Sequence, residues 1–198
     1  MTLSEDSILQ EFKDAQAILS GHFILSSGLH SDTYMQCARV LMDAKRANKL
    51  CSALAAKVKD TGIHFDLVVA PAMGGVVVGY EMGRQLGVES IFCERVDGKF
   101  TLRRGFKIPE NAKVLVVEDV VTTGKSSLET FKCIKENGGE VVAECSLIDR
   151  SNGEANKTLG VPLVSLLTVN VRTFDSTNIP TDLSKIKAEK PGSRFLQK

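Results

Sequence analysis

Val114 to Ser127 reads VLVVEDVVTTGKSS. The apolar run Val114–Val117 is rich in β-branched side chains and too short for a helix, so it predicts a strand buried on both faces. Two adjacent carboxylates, Glu118 and Asp119, follow it. Val120 and Val121 lead to a short loop of Thr122, Thr123 and Gly124. A helix is predicted from about Gly124 to Asn137, ended by Gly138 and Gly139. In an open parallel sheet, ligands sit beyond the carboxyl ends of the strands, so this loop lies where a ligand is expected.

The flanking chain has the same grammar. Leu67–Ala70 is a second apolar run, closed by Pro71 and followed by Gly74, Gly75 and a helical stretch to about Leu86. Ser90–Cys93, Val141–Ile148 and Leu163–Val169 read as further strands. Apolar strands alternating with helices predict an α/β fold with a central, mostly parallel sheet flanked by helices.

Towards the N-terminus, Ser4 is a cap with Glu5 and Asp6 in the first turn. Ile8, Leu9, Phe12, Ala15, Ile18 and Leu19 recur at helical spacing, and Gly21 is read as the stop. Residues 23–41 read as irregular strands. Asp43 caps a helix whose buried stripe is Ala47, Leu50, Cys51, Leu54, Ala55 and Val58, ended by Gly62. The tail carries Lys185, Lys187, Lys190, Arg194 and Lys198 and reads as a solvated end or edge cover, with a binding arm as the alternative.

The whole chain has 198 residues, with 25 Lys plus Arg against 24 Asp plus Glu. A net charge of +1 argues against non-specific nucleic-acid binding as the main activity. No apolar run reaches membrane-spanning length, and the polar, acidic start does not resemble a signal peptide. The five cysteines, Cys37, Cys51, Cys93, Cys133 and Cys145, are odd in number and form no CxxC pair. That pattern excludes zinc-ribbon and dithiol readings and points to a reducing cytoplasm. The three histidines make no triad with any Ser or Cys, so His22 and His30 read as surface or packing residues.

The chemistry of the central stretch follows from its residue types. Thr122, Thr123 and Gly124 open a helix whose first amides have no partner. With the threonine and serine hydroxyls and the helix dipole they form a phosphate cradle. Glu118 and Asp119 would repel phosphate but accept hydrogen bonds from vicinal hydroxyls. A phosphate nest beside a diol-binding acid pair describes a site for a ribose 5-phosphate group. Gly124-Lys125-Ser126 looks like the end of a Walker A loop, but Asp119 occupies the position where that motif needs a glycine. Gly74–Gly79 likewise fails the dinucleotide-binding pattern.

Glu118 through Ser126 resembles the signature of the type I phosphoribosyltransferases: a buried strand, two acids, small or apolar residues, a Thr-Gly turn and a helix. Four outer segments are similar to the orotate-using members of that family. They are Gly21–Tyr34 (an N-terminal hood), Pro71–Gly75 (a pyrophosphate loop), Arg95–Phe106 (a mobile catalytic loop) and Ser146–Arg150 (a strand end beside orotate). The resemblance implies transfer of ribose 5-phosphate from 5-phosphoribosyl 1-diphosphate (PRPP) to orotate, giving orotidine 5′-phosphate and pyrophosphate, a pyrimidine-synthesis step. It implies Mg²⁺ held mainly by PRPP and water, with no metal ligands from the chain. It further implies one phosphoribosyltransferase domain over residues 1–198, its hood built from about 1–41 and 170–198.

By the same resemblance Glu118 and Asp119 hold the ribose hydroxyls, and Thr122, Thr123, Gly124, Lys125 and Ser126 hold the 5-phosphate, with Val120 and Val121 lining the approach. Thr122 and Arg150 contact orotate. Arg95 and Lys99 reach the diphosphate, across the interface of a homodimer. Lys99 and Asp119 are the catalytic candidates, Lys99 as a charge delivered when a loop hinged at Gly98 and Gly105 closes. A cis peptide near Ala72-Met73 is also implied. The chain has Ser26 where the best-studied branch has lysine, Met73-Gly74 where it has Tyr-Lys, and Thr101 near its loop histidine; Arg103 and Arg104 stand close by. A purine phosphoribosyltransferase and a non-enzymatic PRPP-binding regulator remain the alternatives.

Overall fold

A computed structural model describes residues 3–25, 28–151 and 153–190. Ser26 and Ser27 of the hood segment, and Arg194 and Lys198 of the tail, lie outside the described residues. In chain order the first elements are α1 (Glu5–Asp14), β1 (Ile18–Ile24), β2 (His30–Met35), α2 (Cys37–Leu41) and α3 (Ala44–Asp60). The middle of the chain holds β3 (Leu67–Pro71), α4 (Gly74–Leu86), β4 (Glu89–Val96), β5 (Lys99–Leu102), β6 (Lys113–Val121) and α5 (Lys125–Glu136). β7 (Glu140–Asp149), α6 (Glu154–Leu159), β8 (Leu163–Thr168), β9 (Thr173–Phe174) and α7 (Thr181–Ser184) complete it.

The larger sheet has the order β5-β4-β3-β6-β7-β8, and every pairing in it is parallel except β4 with β5. Its strands are buried on both faces because two helical layers cover it. Val68, Leu115, Val117, Cys145 and Leu147 pack against Leu50 and Leu54 of α3 and Val78 and Met82 of α4. Leu67, Val69, Val114 and Val116 face the other way, onto Ile134 of α5. Val121 packs with Ala155 and Leu159 of α6. Each fully buried Val or Leu contributes roughly 1.5–3 kcal/mol, so the apolar runs that announce the strands also anchor them.

Asp43 caps α3 as expected, its carboxylate accepting from the amides of Lys45 and Arg46 at 2.9 and 3.1 Å. The stripe read from α3 is the buried one.

The first helix ends earlier than its periodicity implies. Gln16 takes a left-handed φ of 50°. The Gln16 amide donates to Lys13 O at 2.8 Å and the Ala17 amide to Phe12 O at 2.9 Å, a Schellman stop. Ile18 and Leu19 therefore begin a strand, and Gly21 lies inside it at a register shift between Ser20 and Phe23. Residues 37–41, read as strand, form the short helix α2 instead.

β1, β2 and β9 make a small separate sheet that joins the N-terminal segment to residues 173–174. The tail adds a strand-like rung: the Ile24 amide donates to Glu189 O at 2.7 Å, and the Glu189 amide to His22 O at 2.8 Å. This is the edge-cover reading of the tail. His22 and His30 are buried, with His22 Nε2 2.6 Å from His30 Nδ1 and His22 Nδ1 2.8 Å from Ile186 O. They are packing residues of this sheet.

Candidate active site

β6 runs beyond its apolar run. It carries Glu118, Asp119, Val120 and Val121 inside the ladder, with Val120 and Val121 opposite Ile148 and Asp149 of β7. A neighbouring strand of equal reach extends the pairing that a pattern of side chains alone would end at the acids. Alternation along the strand sets the two acids towards different faces, yet at the strand end their side chains stay within hydrogen-bond reach of each other. Glu118 points to the α5 side with Val116, and Asp119 to the α4 side. Glu118 is 7% exposed. Burial raises its pKa well above the carboxylate range, and the negative charges of Asp119 and then Glu144 add to the effect. Burial also raises Asp119, opposed by a 2.9 Å bond from the Val120 amide to its Oδ1. No ion pair among the described residues includes either acid. Two buried carboxyls without a cation are costly unless a ligand supplies donors.

Thr122, Thr123 and Gly124 follow at once and start α5. Gly124 has φ 73°, and a Cβ there would meet Leu159 Cδ2 at 3.1 Å. Glycine thus serves both the left-handed turn and the fit under α6. Thr123 Oγ1 accepts from the Lys125 amide at 3.4 Å. Thr122, Thr123 and Lys125 are exposed and Ser126 partly so. The first-turn amides and hydroxyls of α5 thus sit directly after the acid pair.

On the opposite side the start of α4 abuts Asp119. A Cβ on Gly74 would lie 2.7 Å from Asp119 Oδ1. The Ala72-Met73 peptide is cis. The loop Pro71–Gly75, expected to be the pyrophosphate loop, thus lies against Asp119.

Arg150 follows β7, its amide held by Val121 O at 2.8 Å. Its Nε is buried without a hydrogen-bond partner. Burial lowers its pKa, and Tyr34 and Cys37 are the groups whose partial charges oppose this. The ion pairs with Asp149 or Glu154 that would make it structural are absent among the described residues; Asp149 Oδ1 instead accepts from the Ser151 amide at 2.7 Å.

Arg95 and Lys99 sit elsewhere. The start of the segment expected as a mobile loop forms an antiparallel hairpin, with Val96 opposite Lys99. Asp97 and Gly98 both have positive φ, so Gly98 is a hairpin-turn residue. Arg95 pairs with Glu129 of α5, donates to Gly98 O at 2.9 Å and stacks 4.2 Å above the Phe100 ring. Lys99 lines a hollow on the outer side of α5 with Glu129, Lys132 and Glu136. The hairpin cations are thus not gathered around residues 118–126 in this chain. Arg103 and Arg104 are held by Glu94, at 3.9 and 3.2 Å.

Residues 40–182 match the family described as the phosphoribosyl transferase domain. The chain belongs to the phosphoribosyl transferase family. It is 53% identical over 193 residues to an orotate phosphoribosyltransferase of Erythrobacter litoralis, covering 97% of this chain and 99% of that one. An orotate phosphoribosyltransferase of Sphingopyxis alaskensis is 55% identical over 195 residues, 98% of this chain and 99% of its own. Among solved structures, the orotate phosphoribosyltransferase of Aeropyrum pernix superposes with a TM-score of 0.67 at 28% identity, over 81% of this chain and 93% of that one.

In this phosphoribosyl transferase, three features around the site escape the sequence reading. Tyr34 is near enough to Asp119 and Arg150 to feel both charges. Cys37 donates its thiol to Asp119 O at 3.8 Å, tying α2 to the end of β6. Glu144, fully buried on β7, accepts from Ser127 Oγ at 2.7 Å. Only Glu144 had a readable signal: it is the one charged residue within the apolar run 141–148.

Proposed function

We infer that the chain is an orotate phosphoribosyltransferase, transferring ribose 5-phosphate from PRPP to orotate with release of pyrophosphate. Near-full-length identity of about half to orotate phosphoribosyltransferases supports this. The observation on which the site reading rests is the junction of β6 with two helix starts, the phosphate turn of α5 on one side and Gly74 of α4 on the other.

In this reading Glu118 and Asp119 accept hydrogen bonds from the ribose diol, which supplies the donors their burial calls for. The Thr122–Ser126 turn takes the 5-phosphate. Orotate lies by Thr122 and Arg150, whose fork suits a planar acid. As the bond from C1 to the diphosphate oxygen breaks, positive charge develops on the ribose, and an orotate ring nitrogen forms the new bond at C1 while its proton passes to the departing pyrophosphate. Asp119, held against Gly74, places a carboxylate near the developing charge. Lys99 supplies a cation to the leaving diphosphate, and pyrophosphate carries off the bonding electron pair. Arg95, released from Glu129, is the second such cation.

Mg²⁺ enters as part of the PRPP complex. The described residues contain no cluster of three or more His, Cys, Asp or Glu able to hold a metal. A hard cation of this kind is readily carried by phosphate oxygens and water. When bound, Mg²⁺ adds Lewis-acid neutralisation of the diphosphate.

A homodimer is supported by an apolar stripe on α4. Met73, Val77 and Tyr80 are 81%, 49% and 68% exposed at helical spacing, beside the pyrophosphate loop. Such a face suits a second copy, whose hairpin could bring its Lys99 to this site. The five unpaired cysteines support a reducing, cytoplasmic setting.

The test is loss of orotate absorbance with PRPP, with and without Mg²⁺, alongside adenine, hypoxanthine and xanthine. Turnover of orotate alone, abolished by chelation, supports the reading. Turnover of a purine base, or none with orotate, overturns it.

A further inference from the structure

Glu144 lies at the centre of β7, opposite Val116 of β6, while Glu118 lies opposite Ser146. The two glutamates are therefore diagonal neighbours on adjoining strands and share the α5 face of the sheet. Glu144 is fully buried; its Oε1 accepts from Ser127 Oγ at 2.7 Å, and its Oε2 has no partner. Ser127 is itself buried in the first turn of α5, three residues after Gly124. One side chain thus touches the helix that carries the phosphate turn and stands beside the acid assigned to the diol. Packing alone would be served as well by valine at this point of a strand.

We propose that Glu144 is a positioning residue of the ribose-diol site, acting on Glu118 through charge and on the phosphate turn through its bond to Ser127. The proposal rests on the reading of Glu118 as a diol-binding carboxylate. Two buried carboxylates on one face repel, so a charge on Glu144 opposes a charge on Glu118. Among the described residues no cation forms an ion pair with either glutamate. Ser127 and Thr130 are the polar residues that α5 turns inward, while its Lys125 and Lys132 are exposed. Leu163–Thr168 of β8 contains no charged residue. Cys145 of β7 and Cys51 of α3 occupy the other face, buried and with raised pKa values; Asp119, beside Gly74, also touches the Glu118 side chain and raises it more strongly than Glu144 does. Burial pushes Glu144 up to about 7, with the Ser127 bond opposing it, so its charge changes near neutral pH. A diol offers two donors and is held best when Glu118 is ionised. PRPP capture should therefore rise with pH as the coupled acids lose a proton.

Glu144→Gln keeps an acceptor for Ser127 and removes the charge; Glu144→Val removes both. In Glu144→Gln, the acid-side inflection of kcat/KM for PRPP should move to lower pH by about half a unit or more. The Glu118 carboxyl, followed by ¹³C NMR in the ligand-free protein, should shift its midpoint in the same direction. Glu144→Val should show the same inflection shift and also raise KM for PRPP several-fold at every pH. An unmoved Glu118 midpoint in Glu144→Gln overturns the proposal and leaves the site reading standing. A moved midpoint with an unmoved inflection overturns the role in PRPP capture. If instead Glu118→Gln leaves KM for PRPP unchanged, the reading of the diol site itself fails.

Discussion

Gly74 and Asp119 stand so close that a methyl group on Gly74 would lie 2.7 Å from the Asp119 carboxylate. The first residue of α4 and the end of β6 thus abut, and any side chain added at Gly74 displaces the Asp119 carboxylate. Gly74→Ala separates fold from function. Alanine is favoured over glycine in a helix by up to about 1 kcal/mol, so thermal stability should hold or rise slightly. The carboxylate must shift, and kcat/KM for PRPP should fall by roughly 10- to 100-fold, since small misplacements of a reacting group have effects of that size. Melting curves and steady-state kinetics on one preparation check both halves. Full activity in Gly74→Ala would show that the position of Asp119 is not critical.

Lys99 is exposed at the start of β5 and forms none of the ion pairs found among the described residues. Removing its charge should leave stability within about 0.5 kcal/mol, as for other surface substitutions. Lys99→Ala should nevertheless lower kcat by about 100-fold or more, with a modest effect on KM for orotate. Unchanged turnover would remove Lys99 from the mechanism.

Arg150 presents a buried Nε that no group among the described residues satisfies. A planar carboxylate of the substrate would satisfy it, through two parallel bonds. Lysine keeps the charge but loses the fork. Arg150→Lys should raise KM for orotate roughly 10-fold or more, the equivalent of about 1.5–3 kcal/mol for a bond to a charged group. KM for PRPP should change little. Equal effects on both substrates would place Arg150 outside the orotate site.

What the residues disclose before folding depends on the range of the interaction. β3, β6, α3 and α5 are legible because apolar runs and helical stripes are local signals, and the acid pair with its Thr-Gly turn is a contiguous motif. The end of α1 is not legible, because Ile18 and Leu19 fit a helical stripe as well as a strand. Only the Schellman stop at Gln16 and the pairing with β2 decide between them. The basic, glycine-bounded segment after Arg95 is compatible with a mobile loop or a surface hairpin, and its ion-pair partners Glu129 and Glu94, from α5 and from across the hairpin, are not visible locally. Tyr34 and Cys37 reach the site only because α2 and β2 fold back onto the end of β6. Glu144 is visible as an oddity, but its meaning needs Ser127 and Glu118 on the same face.

Glu144 also makes stability depend on pH. Its pKa rises from 4.5 to about 7 on folding, chiefly through burial. Between those values the unfolded chain loses this proton and the folded chain keeps it. The unfolded state therefore binds fewer protons, and stability falls as pH rises. The favourable difference is complete below about pH 4.5 and exhausted above about 7, a loss on the order of 3 kcal/mol from this group alone. Glu144→Gln cannot ionise. Relative to the natural chain it should gain stability at pH 8 by about 1–3 kcal/mol more than at pH 5. Urea unfolding of both proteins at the two pH values measures this directly, and the difference between variants cancels the contributions of other titrating groups. A pH-independent difference would mean that Glu144 is already charged in the folded protein at pH 5, stabilised by something other than Ser127.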